Sequence, residues 1–127
     1  GLGGWGALIR KNGEESSLWG GERDTTNNRM EMEAAIRSLE SIVESSNITI
    51  TTDSNYLKDG ITQWLEGWKK KDWKTASKKP VKNKDLWMRL DELSQFHNVN
   101  WKWVKGHSGH RENEIADLLA NKGIDEL

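Results

Sequence analysis

Cysteine is absent from the sequence, which excludes a disulfide scaffold, a thiolate metal site and a cysteine nucleophile. There is also no run of about 18 apolar residues, so we expect neither a membrane-spanning helix nor a membrane partner. No charged segment followed by an apolar one opens the chain, so we expect no secretory leader. These absences fit the reducing cytoplasm, and we expect a cytoplasmic location.

Tryptophan is abundant, whereas tyrosine and phenylalanine occur once each. Hydrophobic residues make up only 34% of the 127 residues, but eight tryptophans argue for a packed core or an aromatic binding surface. The length corresponds to one domain, which we assign to residues 1–127.

The formal net charge of −1 conceals an uneven distribution. Residues 68–84 contain eight lysines and one aspartate, and the rest of the chain is therefore acidic. A basic block on an acidic body is typical of nucleic-acid-binding proteins. The alternative is a solvated lysine-rich loop with no binding role.

The first half of the chain predicts a hairpin followed by a helix. Alternating apolar residues predict two strands, which Asn12–Gly13 joins as a two-residue turn. Apolar residues then recur at helical spacing from Met32 to Val43. Asn28 is the predicted N-cap of this helix, which we expect to end at the polar residues 45–47.

The second half alternates strands with helices. The β-branched segment NITITTD predicts a buried strand, and Ser54 is placed to cap the helix that follows. A short helix is predicted over 85–93, a strand over 99–103 and a last helix near the C-terminus. The element order β-β-α-β-α-α-β-α predicts an α/β fold in which an antiparallel hairpin joins parallel strands.

Three carboxylates occupy positions where they could converge. Glu31 lies in the first turn of the first helix, Asp53 ends a strand and Asp117 lies in the last helix. If they converge, they form an oxygen-rich site suited to Mg²⁺ or Mn²⁺. Each also has a simpler explanation: Glu31 favours its helix dipole, Asp53 caps the next helix and Asp117 is solvated.

His107 lies on a glycine-punctuated loop, K-G-H-S-G-H, before the last helix. A histidine there can move and exchange protons near neutral pH, although an ordinary surface histidine fits equally well. The chain has three histidines and no HExxH pattern, so a zinc site is not expected.

The tryptophans support two interpretations. Trp64 and Trp68 are four residues apart, so core packing is the default for both. The same default holds for the tryptophans of the last strand. Trp73 and Trp87 flank the lysine block, where aromatic rings can stack on nucleic acid while lysines meet phosphates.

Three short polar residues, Thr26, Asn27 and Asn28, precede or open the first helix. Their donors could hold a phosphate or a 2′-hydroxyl at the helix N-terminus. The alternative is plain helix capping.

Three long segments together resemble bacterial type 1 ribonuclease H. They are TTNNRMEMEAAIRSLE, TTDSNYLKDGITQWLEGWKKKDWKTASKKPVKNKDLW and WKWVKGHSGHRENEIADLLA, and the similarity runs over nearly the whole chain. The resemblance implies a ribonuclease H-like mixed five-stranded sheet flanked by helices, with a basic helical protrusion. It implies an endonuclease that cleaves the RNA strand of RNA–DNA hybrids by two-metal-ion hydrolysis, leaving 3′-hydroxyl and 5′-phosphate ends. The implied cofactor is Mg²⁺, with Mn²⁺ as an alternative, and a monomer is expected.

The resemblance also implies roles for individual residues. Glu31 matches the family's R-M-E motif, Asp53 its T-D-S motif and Asp117 its last aspartate, which together bind metal. His107 matches the mobile-loop histidine that assists proton transfer or product release. Thr26 and Asn83 match positions near a bound DNA phosphate.

The implied nucleic-acid contacts extend along the chain. Asn55 stands where glutamine is more usual, which shortens its reach. The full set of expected contacts is Thr26, Asn27, Asn28, Asn55, Trp64, Trp68, Lys69, Lys70, Lys71, Lys74, Asn83, Trp87 and Lys105.

The sequence departs from the family pattern in one large respect. The family's first strand carries T-D-G-S and the central catalytic aspartate, and no T-D-G occurs here. That strand lies in the middle of the family's sheet, so its absence would leave unpaired backbone on both neighbours. We therefore expect the sequence to be incomplete or to be completed by another segment, and a fragment to be inactive without that strand.

Two rival hypotheses stay open. One is a non-catalytic relative that binds RNA–DNA hybrids through its basic segment. The other is an integrase or transposase catalytic domain, which would share the acidic cluster but not the lysine- and tryptophan-rich segment.

Overall fold

A computed structural model of the chain describes residues 1–11, 14–103 and 111–127. Strands and helices follow one another in the predicted order, except that the single helix predicted after Ser54 is divided into two by a π-helical turn. The elements are β1 (Gly3–Lys11), β2 (Glu14–Glu22), α1 (Asn27–Glu40), β3 (Asn47–Thr52), α2 (Asn55–Asp59), a π-helical turn (Gly60–Trp64), α3 (Leu65–Lys70), α4 (Lys84–Phe96), β4 (Asn98–Trp103) and α5 (Arg111–Asp125).

The strands of the described residues form two separate two-stranded sheets. β1 pairs antiparallel with β2, and Lys11 lies opposite Glu14, as a hairpin requires. The predicted turn residues of that hairpin lie outside the described residues. β3 pairs parallel with β4, and the α/β class is confirmed.

A groove separates β1 from β3. Near its start, β1 lies beside Met30 in the first turn of α1. The two are so close that a Cβ on Gly3 would contact the Met30 side chain. Near its end, β3 reaches the same helix terminus, where Asp53 acts electrostatically on Glu31. The two strands therefore run antiparallel to each other on either side of a cavity of about 500 Å³. Among the described residues, each of these strands has a ladder partner on one side only.

The core lies between α1 and α4 and extends to the inner face of β3. Met32 and Leu39 of α1 and Leu90 of α4 are fully buried in it. Trp101 and Trp103 stack with centroids 5.5 Å apart and pack against this core, which confirms the core interpretation of the last strand. Trp87 is also fully buried, at 0% exposure, so the predicted contact of its ring with nucleic acid is wrong.

The first helix differs from its predicted bounds at both ends. Thr26 rather than Asn28 is the N-cap, because its hydroxyl accepts from the Arg29 amide at 3.2 Å. The helix ends at Glu40, several residues before the expected polar cluster. Hydroxyls of Ser38 and Ser41 bond to backbone carbonyls in the last turn, where such bonds compete with the helix.

A buried histidine, His97, joins three elements at the opposite end from Glu31. Its Nδ1 accepts from the Ser46 amide at 3.1 Å, which leaves Nε2 to donate to the Leu39 carbonyl 3.0 Å away. The side chain therefore fixes the end of α1 against the starts of β3 and β4.

One other expectation needs adjustment. The sequence predicts that β3 is buried throughout, but Thr49 and Thr51 are exposed and only Ile48 is buried, since one face alone meets the core. In the part of the chain that the structure describes, no helix is long and apolar enough to cross a membrane.

Candidate active site

The groove between β1 and β3 brings together the three predicted carboxylates. Glu31, Asp53 and Asp117 all line this cavity, although they come from α1, the end of β3 and α5. α5 reaches the groove because Gly4 and Gly6 of β1 carry no side chain; a Cβ on either would overlap the backbone of α5. The predicted convergence of the carboxylates in one cavity therefore occurs in the structure.

Electrostatics in the groove favour a cation. Burial raises the pKa of the Glu31 carboxyl, and the negative charges of Asp53 and Asp117 raise it further. Hydrogen bonds involving Ser54 and Asn27 act in the opposite direction on the same pKa. A buried carboxylate repelled by two others is stabilised by a bound cation or by a proton.

The carboxylates are near one another without being closed around a single point. Within residues 1–11, 14–103 and 111–127, no three acidic or histidine side chains lie close enough to hold one metal ion jointly. The chemistry of the donors fits a divalent ion, since carboxylate oxygens are the ligands that Mg²⁺ and Mn²⁺ prefer. The joint metal site stays a prediction.

Asp53 directly precedes the N-cap residue of α2. Ser54 caps α2, with its hydroxyl accepting from the Leu57 amide at 3.0 Å. The hydroxyl of Thr52 also accepts from the Ser54 amide, at 3.2 Å. The N-cap residue of α2 is therefore Ser54 and not Asp53.

Predicted polar contacts surround the acidic end of the groove. Thr26 and Asn27 are exposed at the start of α1, and Asn28 is half-buried beside them. Asn27 donates to a Glu31 carboxylate oxygen over 3.5 Å, so this amide faces the acidic site. Asn55 is exposed at the first position of α2.

The basic surface is more varied than the sequence suggests. Lys69 is ion-paired with Asp91 at 3.3 Å and with Glu66 at 3.6 Å, and the Asp91 carboxylate is the main cause of its raised pKa. Lys70 and Lys71 are exposed and have no ion-pair partner among the described residues. Lys74 lies 3.9 Å from the Asp72 carboxylate.

Two of the predicted aromatic contacts remain accessible. Trp64 is 37% exposed, and its ring lies 5.7 Å from that of half-buried Trp68. Trp68 in turn contacts buried Trp87 at 5.4 Å between centroids. Only the outer part of this aromatic row can meet a ligand.

Two predicted site residues, Lys105 and His107, lie outside the described residues. Their proposed roles in nucleic-acid binding and proton transfer stay predictions.

Sequence reasoning missed a network at the start of α4. Asn83 accepts from Arg29 at 3.2 Å and donates to the Tyr56 hydroxyl at 3.1 Å. Arg29 also forms a two-bond ion pair with Asp85, at 2.9 and 3.2 Å. No spacing rule signals these contacts, because they join residues 27 to 56 positions apart.

Comparison with known proteins places the chain among nucleases. The family model described as RNase H matches residues 1–125. The ribonuclease H of Halorhodospira halophila (strain DSM 244 / SL1) is 61% identical over 127 residues, which cover 100% of this chain and 85% of the relative.

Solved structures agree with this match. The crystal structure of LC9-RNase H1, a type 1 RNase H with the type 2 active-site motif, has a TM-score of 0.82 and 32% identity. That match covers 98% of this chain and 64% of the other. LC11-RNase H1 in complex with RNA/DNA hybrid has the same fold at a TM-score of 0.71 and 21% identity, over 99% of this chain and 88% of the other. The match along residues 1–125 and the 61% identity show that the chain belongs to the ribonuclease H family of endonucleases.

Proposed function

We propose that this chain cleaves the RNA strand of RNA–DNA hybrids at the acidic end of the groove, leaving 3′-hydroxyl and 5′-phosphate ends. One observation carries the proposal: Glu31, Asp53 and Asp117 line a single cavity, in which the charges of Asp53 and Asp117 raise the pKa of Glu31. Three carboxylates held in one partly buried cavity are costly unless a cation is bound there.

Glu31, Asp53 and Asp117 would hold Mg²⁺, or Mn²⁺ in its place. Two such divalent ions stabilise both the attacking and the leaving oxygen when a phosphodiester is hydrolysed. In this proposal Ser54 and Asn27 keep the Glu31 carboxylate oriented, and His107 moves a proton near the site.

We propose that two groups of residues recognise the substrate: asparagines beside the carboxylates and lysines of residues 69–74. Asn27, Asn28 and Asn55 lie beside the carboxylates and would contact 2′-hydroxyls, which distinguish RNA from DNA. The exposed lysines of residues 69–74 would contact phosphates without sequence preference, so affinity should fall as salt rises. A monomer is sufficient for these contacts.

We further propose that residues 1–127 form a single domain, and that a further extended strand occupies the groove and joins the four described strands into one five-stranded sheet. The described parts of β1 and β3 leave two strand edges facing this cavity, and unpaired edges are templates for strand addition. Because β1 and β3 are antiparallel to each other, an inserted strand is parallel to one and antiparallel to the other. The sheet is then mixed, as the resemblance implies, and the strand's T-D-G-S sequence supplies the fourth carboxylate.

The test is cleavage of a labelled hybrid by the chain together with a synthetic strand peptide that ends in Thr-Asp-Gly-Ser. We expect Mg²⁺-dependent cutting of the RNA strand only. In the same mixture Asp53→Asn should reduce cutting by on the order of 100-fold or more, since the amide removes a negatively charged ligand for the divalent ion. Hybrid binding in EDTA should remain.

Asp125→Asn is the matched control, because this carboxylate is exposed at the end of α5 and does not line the groove. Cutting retained in Asp53→Asn would remove that residue from the site. Cutting by the chain without the peptide would contradict the need for a groove strand, and failure to bind the hybrid at all would overturn the substrate.

A further inference from the structure

Asn83 occupies the N-cap position of α4 without capping it. Its backbone is left-handed, at φ 59° and ψ 30°, and its side chain makes no capping hydrogen bond. An asparagine at this position ordinarily accepts from a backbone amide of the first helical turn. Here two side chains from other elements bind the amide group instead, so its orientation is set by tertiary contacts.

The chemistry of the partners fixes which atom of the amide faces which neighbour. Arg29 can only donate, so the atom that it contacts must be the Asn83 oxygen, Oδ1. The nitrogen, Nδ2, therefore faces the Tyr56 hydroxyl. One of its two hydrogens is used there, and among the described residues no acceptor takes the other.

Tyr56 is itself held in place. Its hydroxyl also accepts from the Trp87 indole nitrogen at 3.3 Å, and its ring lies 5.4 Å from that of Trp87. Because Trp87 is fully buried, the hydroxyl is anchored to the core and cannot follow Asn83 if the amide rotates. The hydroxyl is thus a fixed reference point for the amide.

The cluster offers a donor without a net charge. The Asp85 carboxylate neutralises the Arg29 guanidinium in a two-bond pair, and this contact lowers the pKa of Asp85. The guanidinium is committed to Asp85 and Asn83, which suits it to bracing the amide rather than to gripping phosphate as a cation. A neutral donor positions a nucleic-acid backbone without releasing a counterion.

We infer that Tyr56 and Arg29 are positioning residues that orient the remaining Nδ2 hydrogen of Asn83 toward one phosphate of the bound hybrid. This inference rests on the proposed function, cleavage of a bound hybrid, and on the resemblance, which implies that Asn83 lies near a phosphate of the DNA strand. It adds that the contact is neutral and that its direction is set by the Tyr56 hydroxyl and by the Arg29–Asp85 pair.

The experiment measures hybrid binding by the chain in EDTA over a range of salt concentrations. Tyr56→Phe and Asn83→Ala should each weaken binding roughly 2- to 10-fold, the equivalent of about one hydrogen bond. The slope of log affinity against log salt should not change, because no ion pair is lost. The double variant should bind no more weakly than Asn83→Ala, since Tyr56 acts only through the amide.

A second measurement uses a series of hybrids, each with one uncharged methylphosphonate at a different DNA position. If Tyr56 only stabilised the fold, its replacement would not change how affinity depends on that position. The unsubstituted chain should lose affinity at one position more than at its neighbours. Tyr56→Phe and Asn83→Ala should both abolish that extra loss. Arg29→Lys, which keeps the charge but loses the planar fork, should do the same and covers the case in which Tyr56→Phe does not fold.

Three results would overturn the inference: additive effects in the double variant, a flatter salt slope in Tyr56→Phe, or a lower melting temperature with an unchanged methylphosphonate profile. Each of these leaves the proposed function standing if the unsubstituted chain binds the hybrid. If that chain does not bind, the proposed function fails, and this inference fails with it.

Discussion

At the scale of single residues, close contact with a neighbouring side chain determines whether a glycine is required at a position. Gly60 begins the π-helical turn and lies against the Trp87 indole, so that any Cβ there would overlap the ring. Gly67, seven residues further on in α3, has no atom within 4 Å of the same hypothetical Cβ. The two glycines look alike in the sequence, yet only one is required by packing.

We expect Gly60→Ala to lower the free energy of unfolding by about 1–3 kcal/mol, because the buried indole must shift. Gly67→Ala should be neutral or should stabilise the chain by up to about 1 kcal/mol, as alanine does in an open helical position. Urea denaturation of both variants under conditions in which the chain is folded tests this. Equal effects of the two substitutions would contradict the packing argument.

At the scale of elements, ion pairing divides the lysines of α3 and the turn after it. Lys69 is occupied by Asp91 of α4, whereas Lys70 and Lys71 have no ion-pair partner among the described residues. A lysine already paired within the protein contributes less when it meets a phosphate, because it must first leave its partner. We therefore expect Lys69 to contribute less to phosphate binding than Lys70 and Lys71, although the three are adjacent in the sequence.

Replacing Lys70 and Lys71 together with alanine should weaken hybrid binding and reduce the salt slope by roughly 1.4–1.8, the sum for two phosphate contacts. Lys69→Ala should change the slope less than either single replacement. Fluorescence titrations at several salt concentrations measure this. An unchanged slope in the double variant would exclude a basic grip by these residues.

Element boundaries were predictable where a local rule applied and failed where tertiary contacts intervened. Ser54 caps α2 as predicted, since a serine and its helix are adjacent in sequence. The end of α1 lies earlier than predicted, and the bond that holds this end, from His97 to the Leu39 carbonyl, joins residues 58 positions apart. The exposure of one face of β3 is also set by tertiary contacts, since the packing of α1 and α4 determines which of its faces meets the core.

At the scale of the whole molecule, the groove leaves two strand edges without a ladder partner among the described residues, and this is a poor arrangement for a stable sheet. A strand peptide that ends in Thr-Asp-Gly-Ser should therefore raise the melting temperature of the chain. A ligand at 100 times its Kd adds about 2.7 kcal/mol to the free energy of unfolding. Thermal denaturation with increasing peptide measures the effect.

The same peptide with asparagine in place of aspartate distinguishes strand pairing in the groove from restoration of the catalytic carboxylate. It should raise the melting temperature equally and restore no cutting, while a scrambled peptide should do neither. If none of the three peptides changed the melting temperature, the groove would not bind this strand.

The sequence by itself determined the order of the elements, the α/β class, the family and the three carboxylates. These follow from local periodicity, from capping and from motif residues, all of which act over a few positions. Only the tertiary structure decided that Glu31, Asp53 and Asp117 share one groove, that Trp87 is core, that Lys69 is paired and that Asn83 is held by Arg29 and Tyr56. Each of these depends on contacts between residues far apart in the chain, whose geometry is set when the helices pack against the strands.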